Sequence, residues 1–177
     1  SSTISGEMRT NAVKAVIISC IFMLLYIWFR FKDIRFASSA ILALVHDVLV
    51  VVTAYALIRI SVGSTFIACI LTIVGYSVND TIVIFDRIRE FFGLYPKRNR
   101  MQLFNDSLNT TLARTINTSL STLIVLLSII ILGGDSIRSF AFAMILGVVI
   151  GTLSSIFIAA PIAYLTMGNK MPEETKA

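Results

Sequence analysis

The chain has 177 residues, 56% hydrophobic and only 14% charged, with a mean hydropathy of +0.88. A soluble domain carries roughly a quarter charged residues, so this composition excludes an ordinary water-soluble fold and points to lipid as the outer solvent. The net charge of +5 does not indicate nucleic acid, because the basic residues sit at the ends of apolar runs rather than on one polar face.

Crossing roughly 30 Å of hydrocarbon takes about 20 mostly apolar residues, and lipid offers the backbone no partners, so each span must be helical. The chain opens with a polar stretch, Ser1 to Thr10, that lacks a signal-peptide pattern. Five apolar segments follow, at about 12–29, 36–58, 65–85, 112–132 and 140–167. Arg30 to Arg35 joins the first two, Arg59 to Ser64 the next pair, and Gly133-Gly134-Asp135-Ser136 makes the last turn. Asp86 to Thr111 is expected to be a long polar connection, broken at Leu94-Tyr95-Pro96, in which Met101, Leu103, Phe104 and Leu108 form a short interfacial helix. Residues 171–177 form a polar tail.

Smaller features fall into place on these spans. Trp28, Phe29, Phe31 and Phe36 read as an aromatic belt at one interface. Gly147-x-x-x-Gly151 permits close helix approach, and Pro161 predicts a kink. Cys20 and Cys69 lie inside apolar runs, so no disulfide is expected, and two cysteines with one histidine offer no metal-site spacing.

Eleven of the lysines and arginines fall on one side of the predicted membrane: Arg30, Lys32, Arg35, Arg87, Arg89, Lys97, Arg98, Arg100, Arg114, Lys170 and Lys176. Four fall on the other: Arg9, Lys14, Arg59 and Arg138. The positive-inside rule then predicts an external N-terminus and a cytoplasmic C-terminus. An odd number of spans with an external start leads us to expect a piece of a longer chain.

Ionisable residues within the spans are the candidate site. His46 and Asp47 lie about eleven residues, or roughly 15 Å, from the cytoplasmic end of the second span. A carboxylate there costs on the order of 3 kcal/mol, which fits either a working site or a protonated Asp47 hydrogen-bonded across helices. In the third span Tyr76 and Asp80 are four apart and share a face, while Asn79 and Asp86 share a neighbouring one. In the fourth, Arg114, Asn117, Thr118 and Ser121 form one stripe, expected to face the bundle. Arg114 could simply snorkel to the headgroups. It also falls at a depth similar to Asp80, where a guanidinium would hold a carboxylate ionised and its withdrawal would admit a proton.

The run Gly75-Tyr76-Ser77-Val78-Asn79-Asp80-Thr81-Ile82-Val83-Ile84-Phe85-Asp86-Arg87-Ile88-Arg89-Glu90 resembles the signature of the SecF family, accessory membrane subunits of the bacterial Sec export machinery. Ala43-Leu44-Val45-His46-Asp47-Val48 and Arg114-Thr115-Ile116-Asn117-Thr118-Ser119 resemble it too, and the likeness extends over residues 1–170. A separate SecF or the C-terminal half of a fused SecDF fits equally. The resemblance implies an all-α membrane protein, most of one RND-type half-bundle, from which the family's first span and periplasmic domain are absent. It implies multi-pass residence in the bacterial inner membrane and help to protein export driven by the proton-motive force. The implied partners are SecD or a SecD half, the SecYEG translocon, SecA, the exported polypeptide and membrane lipid. By the same resemblance Asp80 and Arg114 are linked to proton passage, with His46 and Asp47 beside the route. Tyr76, Asn79, Thr81, Asp86, Asn117 and Thr118 support it, and protons rather than a bound cofactor are the coupling species.

The rivals are a different RND-type transporter of drugs or lipids, an intramembrane aspartyl protease using Asp47 and Asp80, and a purely structural subunit. The His-Asp and Arg-Thr motifs weigh against the first. The chain has no Gly-x-Gly-Asp element, which weighs against the protease, so the expectation is a protein that is not an enzyme.

Overall fold

A computed structural model of the chain describes residues 6–59 and 64–168. Helix α1 runs Gly6–Phe31, α2 Ile34–Ile58, α3 Ser64–Leu94 and α4 Arg100–Leu132. Helix α5, Asp135–Ser154, passes through a π-turn, Ser155–Ala159, into α6, Ala160–Met167. Five stretches are long and apolar enough to cross a membrane, α5 and α6 together making the fifth, Ile137–Met167. Among the described residues there is no strand.

The predicted long connection is helix at both ends. α3 continues to Leu94 and α4 starts at Arg100, so the expected interfacial helix is the first turns of α4. Nothing between Phe85 and Leu94 breaks the helix, and Phe85, Ile88 and Phe92 keep a buried face along it. Pro96 stops it, and the Asn99 side chain restarts the chain by accepting from the N–H of Met101 at 3.0 Å. Asp33 caps α2 in the same way, accepting from the N–H of Arg35 at 2.9 Å. Most of the predicted Arg59 to Ser64 connection, the predicted tail at 171–177 and the first residues of the opening polar stretch lie outside the described residues. Thr10 itself is already in α1.

α3 is the central helix, half of its span buried, against 6% for the span in α1. It packs on α5, α4 and α2. The close approach to α5 rests on two glycines: a Cβ at Gly147 would collide with the Ile73 side chain, and one at Gly151 would meet Ser77 Cβ at 3.1 Å. Ile73 and Ser77 are four apart, so the two glycines dock on one face of α3.

Two apolar clusters fill the bundle. One holds Phe31, Phe36, Phe85 and Ile88, with the Phe36 and Phe85 rings 4.9 Å apart; the other holds Val51, Cys69, Ile73 and Val148. The aromatic belt is accordingly half the predicted size. Trp28 and Phe29 are exposed, but Phe31 and Phe36 are buried, because the short turn at Lys32 and Asp33 folds both rings onto Phe85 of α3. Phe22, Leu57, Ile131 and Leu165 point outward, an apolar exterior suited to lipid. Both cysteines are free thiols.

Candidate functional site

Buried polar side chains lie along the interfaces of α2, α3, α4 and α5. Asp47 is fully buried. Its Oδ2 accepts a hydrogen bond from Ser77 Oγ at 2.5 Å, and its Oδ1 lies 3.1 Å from His46 Nδ1. The His46 side chain is 45% exposed, on the outer face of α2 beside Leu42, Leu49 and Thr53. Thr81, also buried, donates to the Ser77 carbonyl at 3.1 Å, so the cluster holds α2 to α3.

Asp80, one turn further along α3, is 4% exposed. Its partner is Thr152 of α5, whose Oγ1 lies 3.5 Å from Oδ2. Thr152 Oγ1 is also 2.6 Å from Ser119 Oγ of α4. Asp80 therefore joins three helices through two hydroxyls. Tyr76, on the same face of α3, has a buried hydroxyl without a hydrogen-bond partner among the described residues.

The predicted stripe on α4 does not face the bundle; the stripe beside it does. Arg114, Asn117, Thr118 and Ser121 are all exposed, and the buried polar residues of α4 are Ser107, Thr111, Thr115 and Ser119. The two stripes run side by side, separated by about 100° of helix rotation. On the buried face the side chains are small hydroxyls, of which Ser107 and Thr111 donate to the Leu103 and Ser107 carbonyls at 2.7 and 3.1 Å; the Arg114 side chain lies outside it. Arg114 remains within electrostatic reach of Asp80, but among the described residues no ion pair joins the two. Thr118 and Ser121 donate to Arg114 and Asn117 carbonyls at 2.9 and 2.8 Å.

Asn79 is exposed on α3. Asp86 is drawn into an ion pair with Arg30 of α1 at 3.0 Å. That pair, the Arg100 bond to the Tyr164 carbonyl at 2.6 Å and the Arg35 bond to the Met167 carbonyl at 3.5 Å gather basic residues at one end of the bundle. Among the described residues no group of three or more His, Cys, Asp or Glu side chains could hold a metal.

Thr152, Ser119 and Ser77 were not singled out as site residues from the sequence. The signals were present: hydroxyls at every fourth position from Ser107 to Ser119, and Thr152 directly after a glycine of the close-packing pair. Chemically, the arrangement offers a buried carboxyl, hydroxyls within hydrogen-bond reach of it, and a fixed positive charge nearby.

Residues 1–169 match the sequence model of a family described as protein export membrane protein SecD/SecF, C-terminal. The protein translocase subunit SecF of Cereibacter sphaeroides is 44% identical over 172 residues, which is 97% of this chain and 53% of that protein. The protein translocase subunit SecDF of Thermus thermophilus is 42% identical over 171 residues, 97% of this chain and 23% of that protein. A crystal structure of SecDF in a super-membrane-facing form superposes with a TM-score of 0.86 at 43% identity, covering 99% of this chain and 24% of that one. The chain thus spans about half the length of the SecF relative and about a quarter of the SecDF chains.

Proposed function

Because this chain belongs to the SecD/SecF protein-export membrane family, we propose that it forms the proton-responsive part of an accessory subunit of the Sec translocase, assisting protein export across the bacterial cytoplasmic membrane at the expense of the proton-motive force. It is a multi-pass protein of that membrane. The basic end of the bundle, with Arg30, Arg35 and Arg100, faces the cytoplasm in this reading.

The observation that carries the proposal is the exposed stripe Arg114, Asn117, Thr118 and Ser121 beside the buried Asp80. An arginine at the bilayer centre costs about 2.5–3.5 kcal/mol by insertion scales, and a face that adds Asn117, Thr118 and Ser121 to Arg114 suits a protein cover better than lipid. A SecD-type half-bundle is the proposed cover, a pairing supported by the fused SecDF relative. Covered in this way, Arg114 acts on Asp80 in a medium where charge is weakly screened.

Protonation of Asp80 removes that attraction and releases α4 from α3; deprotonation restores it. His46 and Asp47 extend the route on the α2 side. Protons are the coupling ion, with no bound cofactor, and no covalent chemistry is involved. The SecYEG translocon, SecA and the exported polypeptide are the further proposed partners, and lipid surrounds the outer faces. The translocase names of the relatives favour export over efflux of drugs or lipids.

The test is proton-gradient-dependent export by the intact complex carrying Asp80→Asn or Arg114→Ala. Each variant should lose most of the gradient-dependent component, and wild-type export from both would sink the proposal.

A further inference from the structure

We propose that Thr152 is a positioning residue whose single hydroxyl proton switches between two acceptors according to whether Asp80 carries a proton, passing that state to α4 and to the π-turn of α5. This rests on the proton-coupled reading of Asp80.

With Ser119 Oγ, 2.6 Å away, acting as the donor of the pair, Thr152 Oγ1 has two acceptors within reach, the Val148 carbonyl at 2.7 Å and Asp80 Oδ2 at 3.5 Å. It has one proton, so it can serve only one of them fully. With Asp80 ionised, the carboxylate is the stronger acceptor and draws the hydroxyl proton across. With Asp80 protonated, the carboxyl O–H donates to Thr152 Oγ1, and the threonine proton returns to the Val148 carbonyl. Protons balance in both states, and only the Asp80 proton enters or leaves.

Two neighbours make this exchange consequential. Ser119 of α4, 2.6 Å away, bonds the same oxygen, so a change at Thr152 reaches the helix that carries Arg114. On the other side, Ser155 Oγ donates to the Thr152 carbonyl at 2.9 Å. There the α-helix gives way to the π-turn, in which the Ala160 N–H reaches back to the Ser155 carbonyl. Pro161 follows without an N–H to donate. Such π-turns are rare and are found frequently at functional sites.

Few other charges face this position. Arg114 acts on Asp80 from α4, Asp47 with His46 lies behind Ser77 on the α2 side, and Tyr76 is one turn away on α3. α5 and α6 contribute no acidic or basic side chain between Ser139 and Gly168. Thr152 is therefore the polar contact that α5 makes with the carboxyl.

The experiment measures export by the intact membrane complex across a range of pH for wild type, Thr152→Val, Thr152→Ser and Asp80→Asn. Thr152→Val keeps the shape and removes the donor, so the midpoint should move to higher pH by about one unit. Thr152→Ser keeps the hydroxyl and should restore the wild-type midpoint. An unshifted midpoint in Thr152→Val, with Asp80→Asn inactive, overturns this inference and leaves the function proposed above standing. Wild-type export from Asp80→Asn overturns both. Should Thr152→Val fail to assemble, Ser119→Ala decides: a smaller shift in the same direction supports the relay, and an unchanged midpoint overturns it.

Discussion

Ser77 of α3 donates to Asp47 of α2 at 2.5 Å, so the most deeply buried carboxyl among the described residues is held by a hydroxyl from the helix beside it. Losing that hydroxyl strands one oxygen of a fully buried group, at a cost of about 1–3 kcal/mol. Ser77→Ala should therefore lower stability by that amount in bicelle unfolding titrations. Asp47→Asn keeps an acceptor for Ser77 and should cost clearly less. Equal losses would show that the bond adds nothing beyond the shape of the residues.

A second prediction concerns Gly147 and Ile73. A Cβ at position 147 overlaps the Ile73 side chain, and forcing one extra carbon into a packed interface costs about 1–3 kcal/mol. Gly147→Ala should destabilise by that much. Combined with Ile73→Ala, which vacates the space, it should cost less than the sum of the single changes. A double-mutant cycle with no coupling would contradict the contact.

The Arg30–Asp86 pair is a contrast, because both side chains are well exposed, at 45% and 39%. Such pairs are worth about 0–1 kcal/mol and weaken with salt. Asp86→Asn should shift the unfolding midpoint slightly at low salt and hardly at all at high salt. A large, salt-independent loss would mean that Asp86 has a further role.

Arg114 separates stability from assembly. With no ion pair or hydrogen bond to its guanidinium among the described contacts, Arg114→Leu should leave this bundle's own unfolding unchanged or slightly improved. Co-purification of the SecD-type partner should fall several-fold, because the covered face has lost its polar anchor. Undiminished co-purification would place the partner on another face.

The four predictions differ in how far the sequence foreshadowed them. Gly147 and Gly151 were legible as a close-packing pair, but their partners Ile73 and Ser77 were not, since a spacing names a helix face and not the helix opposite it. Asp47 and Asp80 were legible as buried from position alone. The rotation of α4 was misread. Arg114, Asn117, Thr118 and Ser121 make as regular a stripe as Thr111, Thr115 and Ser119, and the more strongly polar of the two was assigned to the interior. In water that choice would have been reversed, because a soluble bundle turns its charges outward.

By itself, then, the sequence determined that the chain is helical, has five segments fit to cross a membrane and buries Asp47 and Asp80 within them, because length, hydropathy and desolvation are properties of each segment alone. It also carried the family signature around Asp80 and Arg114. Only the tertiary structure decided that Thr152 and not Arg114 touches Asp80, that Ser77 satisfies Asp47, and that the arginine stripe is left exposed. Those outcomes depend on how each helix is rotated about its axis, and that rotation is set by which side chains fit between neighbours: small hydroxyls occupy the α3–α4–α5 interface, and the Arg114 side chain lies outside it.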